Sequence, residues 1–375
     1  MKIGILTFHA SHNYGSMLQA YALQRYLNTH GHDAETINLR IKFQQELYNY
    51  PLKPVSWKYK PYINSLANPV WLYHACRKWQ KYERFLKENI RLTENTYANW
   101  DEVRADLPRL GYECIITGGD QIWNMNCKDF TVSYYLPSAL QGIRKVSYSP
   151  SFGGAFLSKI TSEQKSFIKR CLSDYDHISV RESSMQFFLS ELLDNKKVTI
   201  AADPTLLLNA DDFNALISEK AIVEGKYIFY YTPRYNGKAE RLAKLIGQQY
   251  GIKVVTSFPH ILNNRGMKTV PEAGPAEFLN LLKNATMVIG KSFHLVVFSL
   301  LFHKDFIAVD GDKDARMVSI LEKLGIKERG EVNESNYKDI ALSELDYMRI
   351  DGVINEMRKD SETYIHQALN SFPKQ

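Results

Sequence analysis

A chain of 375 residues exceeds what one ordinary core supports and implies two domains, and 45% hydrophobic with 23% charged residues excludes a disordered polymer. The net charge of +6 is mild and no nucleic-acid motif accompanies it, no apolar run approaches the roughly 20 residues of a membrane span, and the N-terminal stretch lacks the pattern of a secretory leader. Cys76, Cys114, Cys127 and Cys171 form no C-x-x-C pair, so no metal or disulfide framework is expected, and a cytoplasmic setting follows.

In chain order, KIGILTF reads as a buried strand, HASHNYGS as a loop, MLQAYALQRYLNTHG as a helix ending at Gly31, and DAETINL as a second strand. Residues 41–100 form an aromatic and basic insertion, helical in its second half. Its 51–91 stretch carries nine Lys/Arg against Glu83 and Glu88, with Trp and Tyr interleaved. The plainer reading is a helical insertion with a solvated basic face; the sharper one is a surface for anionic lipid headgroups or a phosphorylated, sugar-bearing acceptor. Alternation then resumes: YECIITG delivers GDQIWN, RKVSYSPS delivers FGG, and HISV delivers Arg181 and a helix. Strands followed by helices at this rhythm predict parallel βαβ units.

A second unit is predicted from about residue 198, where TIAA leads into Asp203-Pro204. KYIFYYT, IKVVTSF, MVIG and DFIAVD follow as further strands, each with a helix or loop after it. The expected architecture is α/β, two Rossmann-like lobes with parallel sheets facing a cleft. The N-terminal lobe covers 1–196 and the C-terminal lobe 197–340, with a helical tail at 341–375 packing back across both. The most informative segment is MVIGKSFHLVVFSLLF, 287–302: a buried strand turns into a buried helix, with Lys291, Ser292 and His294 at the crossing.

Loops after strands face the cleft in such folds, which shortlists the site. The first lobe offers His9, His12, Asn13 and Tyr14, then Asp120, Gln121 and Asn124, then Ser149, Ser151 and Arg181. The second offers Asp203, Arg234, Lys291, Ser292, His294 and Arg316. No G-x-G-x-x-G or G-x-x-x-x-G-K-[ST] pattern occurs, which argues against a dinucleotide cofactor and P-loop phosphoryl transfer. Arg181 suits bidentate contact with a carboxylate or phosphate, against a surface ion pair as the plainer reading. For His9 and His12 the plainer role is a loop hydrogen bond, for Asn13 and Gly15 the shaping of a turn, and for Arg316 a solvated or interlobe ion pair.

Taken together, GILTFHASHNYGSMLQAYALQRYL, TGGDQIWN, SYSPSFG, ISVRE, ADPTLLL, GPAEFLNLLKNATMVIGKSFHLVVFSLLF and ARMVSILEKLG resemble the polysaccharide pyruvyl transferase family. The likeness runs from residue 1 to about 325 and is least in 41–100. It implies a fold akin to the B-type glycosyltransferases and transfer of pyruvate from phosphoenolpyruvate onto two sugar hydroxyls as a cyclic ketal, with no cofactor beyond that donor. The family's donor-site arginine matches Arg181 and its donor-site histidine matches His294. Some members carry an arginine two positions before that histidine; here Ser292 stands there, so the second anion contact is expected from Lys291, Arg316 or the helix start at Ser292. His294 is the expected proton donor, and Asp120 or His12 the acceptor of the hydroxyl proton. Asn13, Tyr14, Gln121, Asn124 and Ser151 are expected on the acceptor side. The acceptor implied is a glycan of a surface polysaccharide, polyprenyl-diphosphate-linked in the sharper reading, with the protein peripheral at the inner membrane face. The rival readings are a nucleotide-sugar glycosyltransferase of the same two-lobed fold and a non-catalytic sugar-binding relative.

Overall fold

The computed structural model describes residues 1–53, 69–153, 157–234, 236–257, 266–338 and 344–370. Two parallel sheets organise it. The first joins β1 (Lys2–Leu6), β2 (Asp33–Thr36), β3 (Cys114–Gly118), β4 (Arg144–Tyr148), β5 (His177–Val180) and β6 (Val198–Ile200) in the order β2-β1-β3-β4-β5-β6. The second joins β7 (Tyr227–Tyr231), β8 (Lys253–Thr256), β9 (Lys268–Thr269), β10 (Met287–Gly290) and β11 (Asp305–Ala308) in the order β11-β10-β7-β8-β9. The central strands β3 (CIITG), β7 (YIFYY) and β10 (MVIG) are buried from end to end, because helices cover both faces of a parallel sheet.

Each order reverses once, at β1/β3 in the first lobe and at β7/β10 in the second. At such a reversal neighbouring connections leave toward opposite faces, and a crevice opens beyond the carboxyl ends of the strands. The loops holding His9–Asn13 and Gly119–Asn124 therefore meet at the first reversal. Residues 232–234 and 291–292 meet at the second.

One predicted boundary is corrected. The strand at 198–200, expected to open the second unit, pairs with β5 in register Ile178↔Val198 through Val180↔Ile200 and completes the first sheet. The second sheet starts only at Tyr227. Asp203 thus lies just past the edge of the first sheet, in the 3-10 turn that caps through its own side chain onto Thr205 N–H.

Three apolar clusters hold the fold. One lies on a face of the first sheet (Ile115, Trp123, Tyr135, Ile178) and one on a face of the second (Ile228, Leu242, Ile246, Ile307). The third runs through both lobes, joining helix Tyr14–Thr29 (Met17, Leu18), helix Phe293–Leu301 (Val297, Phe298) and helix Tyr347–Asn370 (Ile350, Ile354). The last of these helices returns to the first lobe: Tyr364 Oη donates to Ser147 O at 2.7 Å, and Arg144 donates to the carbonyls of Ala368 and Leu369.

The insertion also spans the lobes. Its helix Pro69–Asn89 pairs Lys81 with Glu277 at 3.0 Å and Arg77 with Glu272 at 3.6 Å, while Lys78 stands 5.3 Å over the Tyr14 ring. These three basic residues of the predicted lipid- or acceptor-facing patch therefore face the interlobe seam. Lys58, Lys60, Trp57, Tyr59 and Tyr62 lie outside the described residues. No described helix is long and apolar enough to cross a membrane.

Candidate functional site

Arg181 directly follows β5 and His294 lies in the first turn of helix Phe293–Leu301 after β10, so they arrive from opposite lobes. They meet on one carboxylate. Arg181 Nη2 stands 2.5 Å from Asp203 Oδ2, and His294 Nε2 stands 3.5 Å from the same oxygen. The first is a close charge contact, and the second is too long for a firm hydrogen bond. All three residues are nearly sealed, at 5%, 1% and 6% exposure. Burial alone raises the Asp203 carboxyl; the Arg181 guanidinium and then His294 overcome it and hold the group well below the usual carboxylate range. Oδ1 of Asp203 accepts from Thr205 N at 3.0 Å and Thr205 Oγ1 at 2.5 Å, which pins the carboxylate in place.

In this sealed polar cluster Arg181 Nη1 makes no hydrogen bond, and His294 Nε2 faces only Asp203 Oδ2, itself short of a firm hydrogen bond, at 3.5 Å. Ser292 occupies the N-cap position of helix Phe293–Leu301, yet its side chain makes no cap hydrogen bond. The helix start therefore keeps free N–H groups and its positive dipole end beside those donors, the arrangement that attracts an anion. Phe293 underlies a second cation: the guanidiniums of Arg181 and Arg316 lie 4.8 and 5.5 Å from its ring centroid. Arg316 is held by Asp314 at 3.0 and 2.7 Å, and with the Gln121 amide oxygen turned toward it, it also donates to Gln121 at 2.9 and 3.2 Å. Arg316 is thus a partly buried interlobe contact close to Arg181. Glu182 adds a further acid; burial raises its carboxyl, against the pull of Arg181, and it accepts from Ser151 Oγ at 2.5 Å.

Gly15 explains how the lobes come this close. A β-carbon there would overlap Nδ1 of His294, so only glycine lets helix Tyr14–Thr29 present its backbone to the imidazole. This exceeds the turn-shaping role expected of it. Gly15→Ala is expected to displace His294 from Asp203 and lower turnover by about 10²-fold, with the melting temperature and turnover measured together. A variant with wild-type turnover would show that the two helix starts do not touch.

Other predicted residues are placed elsewhere. His9 is buried, bonded to Thr7 O and Asn38 Oδ1, and burial holds its imidazole down at about 4, so it is neutral and structural. Asn13, expected beside the acceptor, caps helix Tyr14–Thr29 by accepting from Gly15 N at 2.9 Å. Tyr14, also expected there, is buried with Oη donating to Ala273 O across the lobes, and the Ser151 hydroxyl is taken by Glu182; neither has a hydroxyl free to meet a sugar. Lys291 turns from the Arg181 cluster to Asp310, 3.1 Å away, a carboxylate that also gathers Lys313 at 2.8 Å. Asp120 has backbone φ 48° and accepts from Ser16 Oγ at 2.5 Å and Gln121 N at 2.8 Å. Asn124 accepts through Oδ1 from Asn126 N, and Arg234 is exposed in the loop after β7. His12 pairs with Glu83 of the insertion at 3.0 Å. Among the described residues no group of three or more His, Cys, Asp or Glu is arranged to hold a metal ion. A groove of about 500 Å³ lined by His303, Asp351 and Arg358 shares no residue with the Arg181 cluster.

The sequence reading did not assign roles to Phe293, Glu182, Asp314 or Glu83. Phe293 meets Arg181 across the lobes and Glu83 meets His12 from the insertion, which no local spacing carries, whereas Asp314 and Glu182 meet Arg316 and Ser151 within their own lobes.

Among solved structures, the chain is similar to UDP-GlcNAc 2-epimerase from Neisseria meningitidis bound to UDP-GlcNAc, at 9% identity and TM-score 0.56, covering 99% of this chain and 100% of that one. It is also similar to the S. aureus MnaA–UDP co-structure, at 9% identity and TM-score 0.51, covering 100% and 98%. At such identities these likenesses establish the fold, two Rossmann-like lobes with parallel sheets facing a cleft. No curated protein matches. The family model for polysaccharide pyruvyl transferase matches residues 13–313, from the cap of the first helix through β11 and the turn after it. A match over most of the chain, enclosing Gly15, Arg181, Asp203 and His294, places this protein in the polysaccharide pyruvyl transferase family.

Proposed function

We propose that this transferase moves pyruvate from phosphoenolpyruvate onto two hydroxyls of one sugar, giving a cyclic ketal on a surface polysaccharide or its precursor. The observation that carries the reading is the buried Arg181 Nη1, a donor with no hydrogen bond, beside His294 and an uncapped helix start. A small, doubly anionic donor matches that set, its phosphate or carboxylate taking the guanidinium and the helix N–H groups. Because both side chains are nearly sealed, the donor enters when the starts of the two helices draw apart.

In the chemistry we envisage, His294 protonates the donor's C3 methylene, leaving C2 electrophilic. The first sugar hydroxyl forms a bond to C2 and loses its proton to a base. The C2–O bond to phosphorus then breaks, phosphate departs with the bonding pair, and the second hydroxyl closes the ring. Of the two hydroxyl protons, one balances that gained at C3 and the other leaves with phosphate. Asp203 would hold the imidazole in place and stabilise its charged form, a positioning role. Of the two candidate bases, both Asp120 oxygens already accept hydrogen bonds, which favours His12.

The acceptor in this reading is carried on a lipid-linked precursor. The insertion supports it by leaving Leu52, Val70 and Tyr73 exposed among basic residues.

Phosphoenolpyruvate at about 100 times its Kd should stabilise the protein by about 2.7 kcal/mol in a thermal shift, and UDP-GlcNAc should not. Incubation with phosphoenolpyruvate and galactose- or N-acetylmannosamine-containing acceptors should release phosphate and add pyruvate mass to the sugar. Binding to anionic vesicles should fall when Lys58 and Lys60 are neutralised. Stabilisation by UDP-GlcNAc alone would favour the nucleotide-sugar glycosyltransferase instead.

A further inference from the structure

We infer that Glu83, on the insertion helix Pro69–Asn89, is the positioning partner of His12, and that Nδ1 of His12 takes the acceptor's hydroxyl proton. This rests on the reading of the donor site given above. The His12 imidazole has two polar directions. Nε2 faces Glu83 Oε1 at 3.0 Å, so the neutral ring carries its hydrogen on Nε2 and presents the Nδ1 lone pair. No described residue bonds to Nδ1, and the side chain keeps 13% exposure.

The ring plane is fixed as well. Tyr82 stacks on it at 4.8 Å and 13°, Tyr48 lies at 5.3 Å and Trp79 meets it edge-on at 6.4 Å. The second Glu83 oxygen lies 3.8 Å from Arg40, whose Nε is bonded to Asn38. Two cations and an aromatic wall therefore surround a carboxylate–imidazole pair: Arg40 and Lys78 weigh against protonation of His12, Glu83 favours it, and His9, Tyr48 and Tyr82 are further titratable neighbours. Burial is the largest influence and lowers the His12 imidazole, while burial of Glu83 is outweighed by His12 and Arg40, which keep it ionised. A neutral imidazole beside an ionised carboxylate is the state a general base needs.

The pair also stands at the right place in the fold. His12 precedes Gly15 by three residues, a chain span of at most about 11 Å, and Gly15 touches His294. The base on the first-lobe loop and the proton donor on the second-lobe helix therefore flank one seam. Lys81, two residues before Glu83, ties the same helix to Glu277 of the second lobe, so the helix that seats Glu83 is also anchored across the seam.

In the step assigned here the sugar O–H bond breaks, its electron pair forms the C2–O bond, and the proton moves to His12 Nδ1. Glu83 remains ionised and stabilises the imidazolium. The test measures phosphate release from phosphoenolpyruvate with the galactose-containing acceptor for wild type, Glu83→Gln, Glu83→Asp, His12→Ala and the His12→Ala/Glu83→Gln double variant. Glu83→Gln should lower kcat by about 10²-fold at an unchanged melting temperature. It should also move the acid limb of kcat/KM down by about one unit, because a carboxylate beside an imidazole raises its pKa. Glu83→Asp should recover part of the rate, and Glu83→Gln should add nothing in the His12→Ala background. A wild-type rate and pH profile in Glu83→Gln, or an equal loss from it in the His12→Ala background, overturns the assignment while leaving the donor reading intact. A wild-type protein that neither binds phosphoenolpyruvate nor releases phosphate overturns both.

Discussion

His294→Gln is expected to lower turnover by about 10²–10⁴-fold while leaving the melting temperature near that of wild type. The two readouts separate because the imidazole and the fold depend on different contacts. The charge balance of the pocket rests on Arg181 against Asp203 at 2.5 Å, and that pair survives the substitution. Glutamine is neutral and still offers a donor to the Asp203 oxygen that His294 faces at 3.5 Å, so no buried charge is stranded. What it lacks is a group that can deliver a proton near neutral pH. Single-turnover phosphate release with phosphoenolpyruvate saturating is the deciding measurement, since it isolates chemistry from binding. Near-wild-type release by this variant would remove His294 from the proposed mechanism.

Arg181→Met should act mainly on stability, lowering the unfolding free energy at neutral pH by about 3–5 kcal/mol. Asp203 is 1% exposed, and removing its cation leaves a carboxylate in a sealed pocket with only Thr205 and His294 to face it. The pH dependence follows from the same groups. In the wild type the folded Asp203 lies below its ordinary value of 3.8, so its contribution is complete above about pH 4 and is lost as pH falls from there through the folded value. In the variant the desolvation of Asp203 is no longer opposed by a guanidinium, and its folded pKa rises above 3.8. The variant then gains from protonation in the folded state, and its deficit narrows as pH falls from 7 toward 4. Chemical denaturation at pH 7 and pH 4.5 tests this. Equal destabilisation at the two values, or none at either, would show that Asp203 is not held by Arg181.

Most of the fold was readable because parallel strands covered on both faces are continuous apolar runs. KIGIL, CIITG and YIFYY announce themselves, and the helix signals between them set the parallel order. The 198–200 strand was misassigned for the converse reason. Three residues, one of them exposed Ile200, carry too little pattern to say which sheet they join, and only pairing with Ile178–Val180 decides it. The site divides in the same way. Arg181 and His294 stand at strand ends, where position alone suggests a role. Lys291 stands at one too and yet turns to Asp310, because the competing carboxylate is nineteen residues further on, past the next helix and strand.

The sequence by itself determined the two-lobed α/β plan, the strand-end origin of Arg181, Asp203 and His294, and the likeness that the family match established, because each is written in local apolar period or in motif order along the chain. Tertiary structure alone decided that Asp203 bridges the guanidinium and the imidazole, that Gly15 admits His294 to the first lobe, and that an insertion residue, Glu83, faces His12. Those contacts join residues 22 to 279 positions apart. Apolar period specifies which face of an element is buried, whereas the partner it meets there depends on how the two sheets are pressed together.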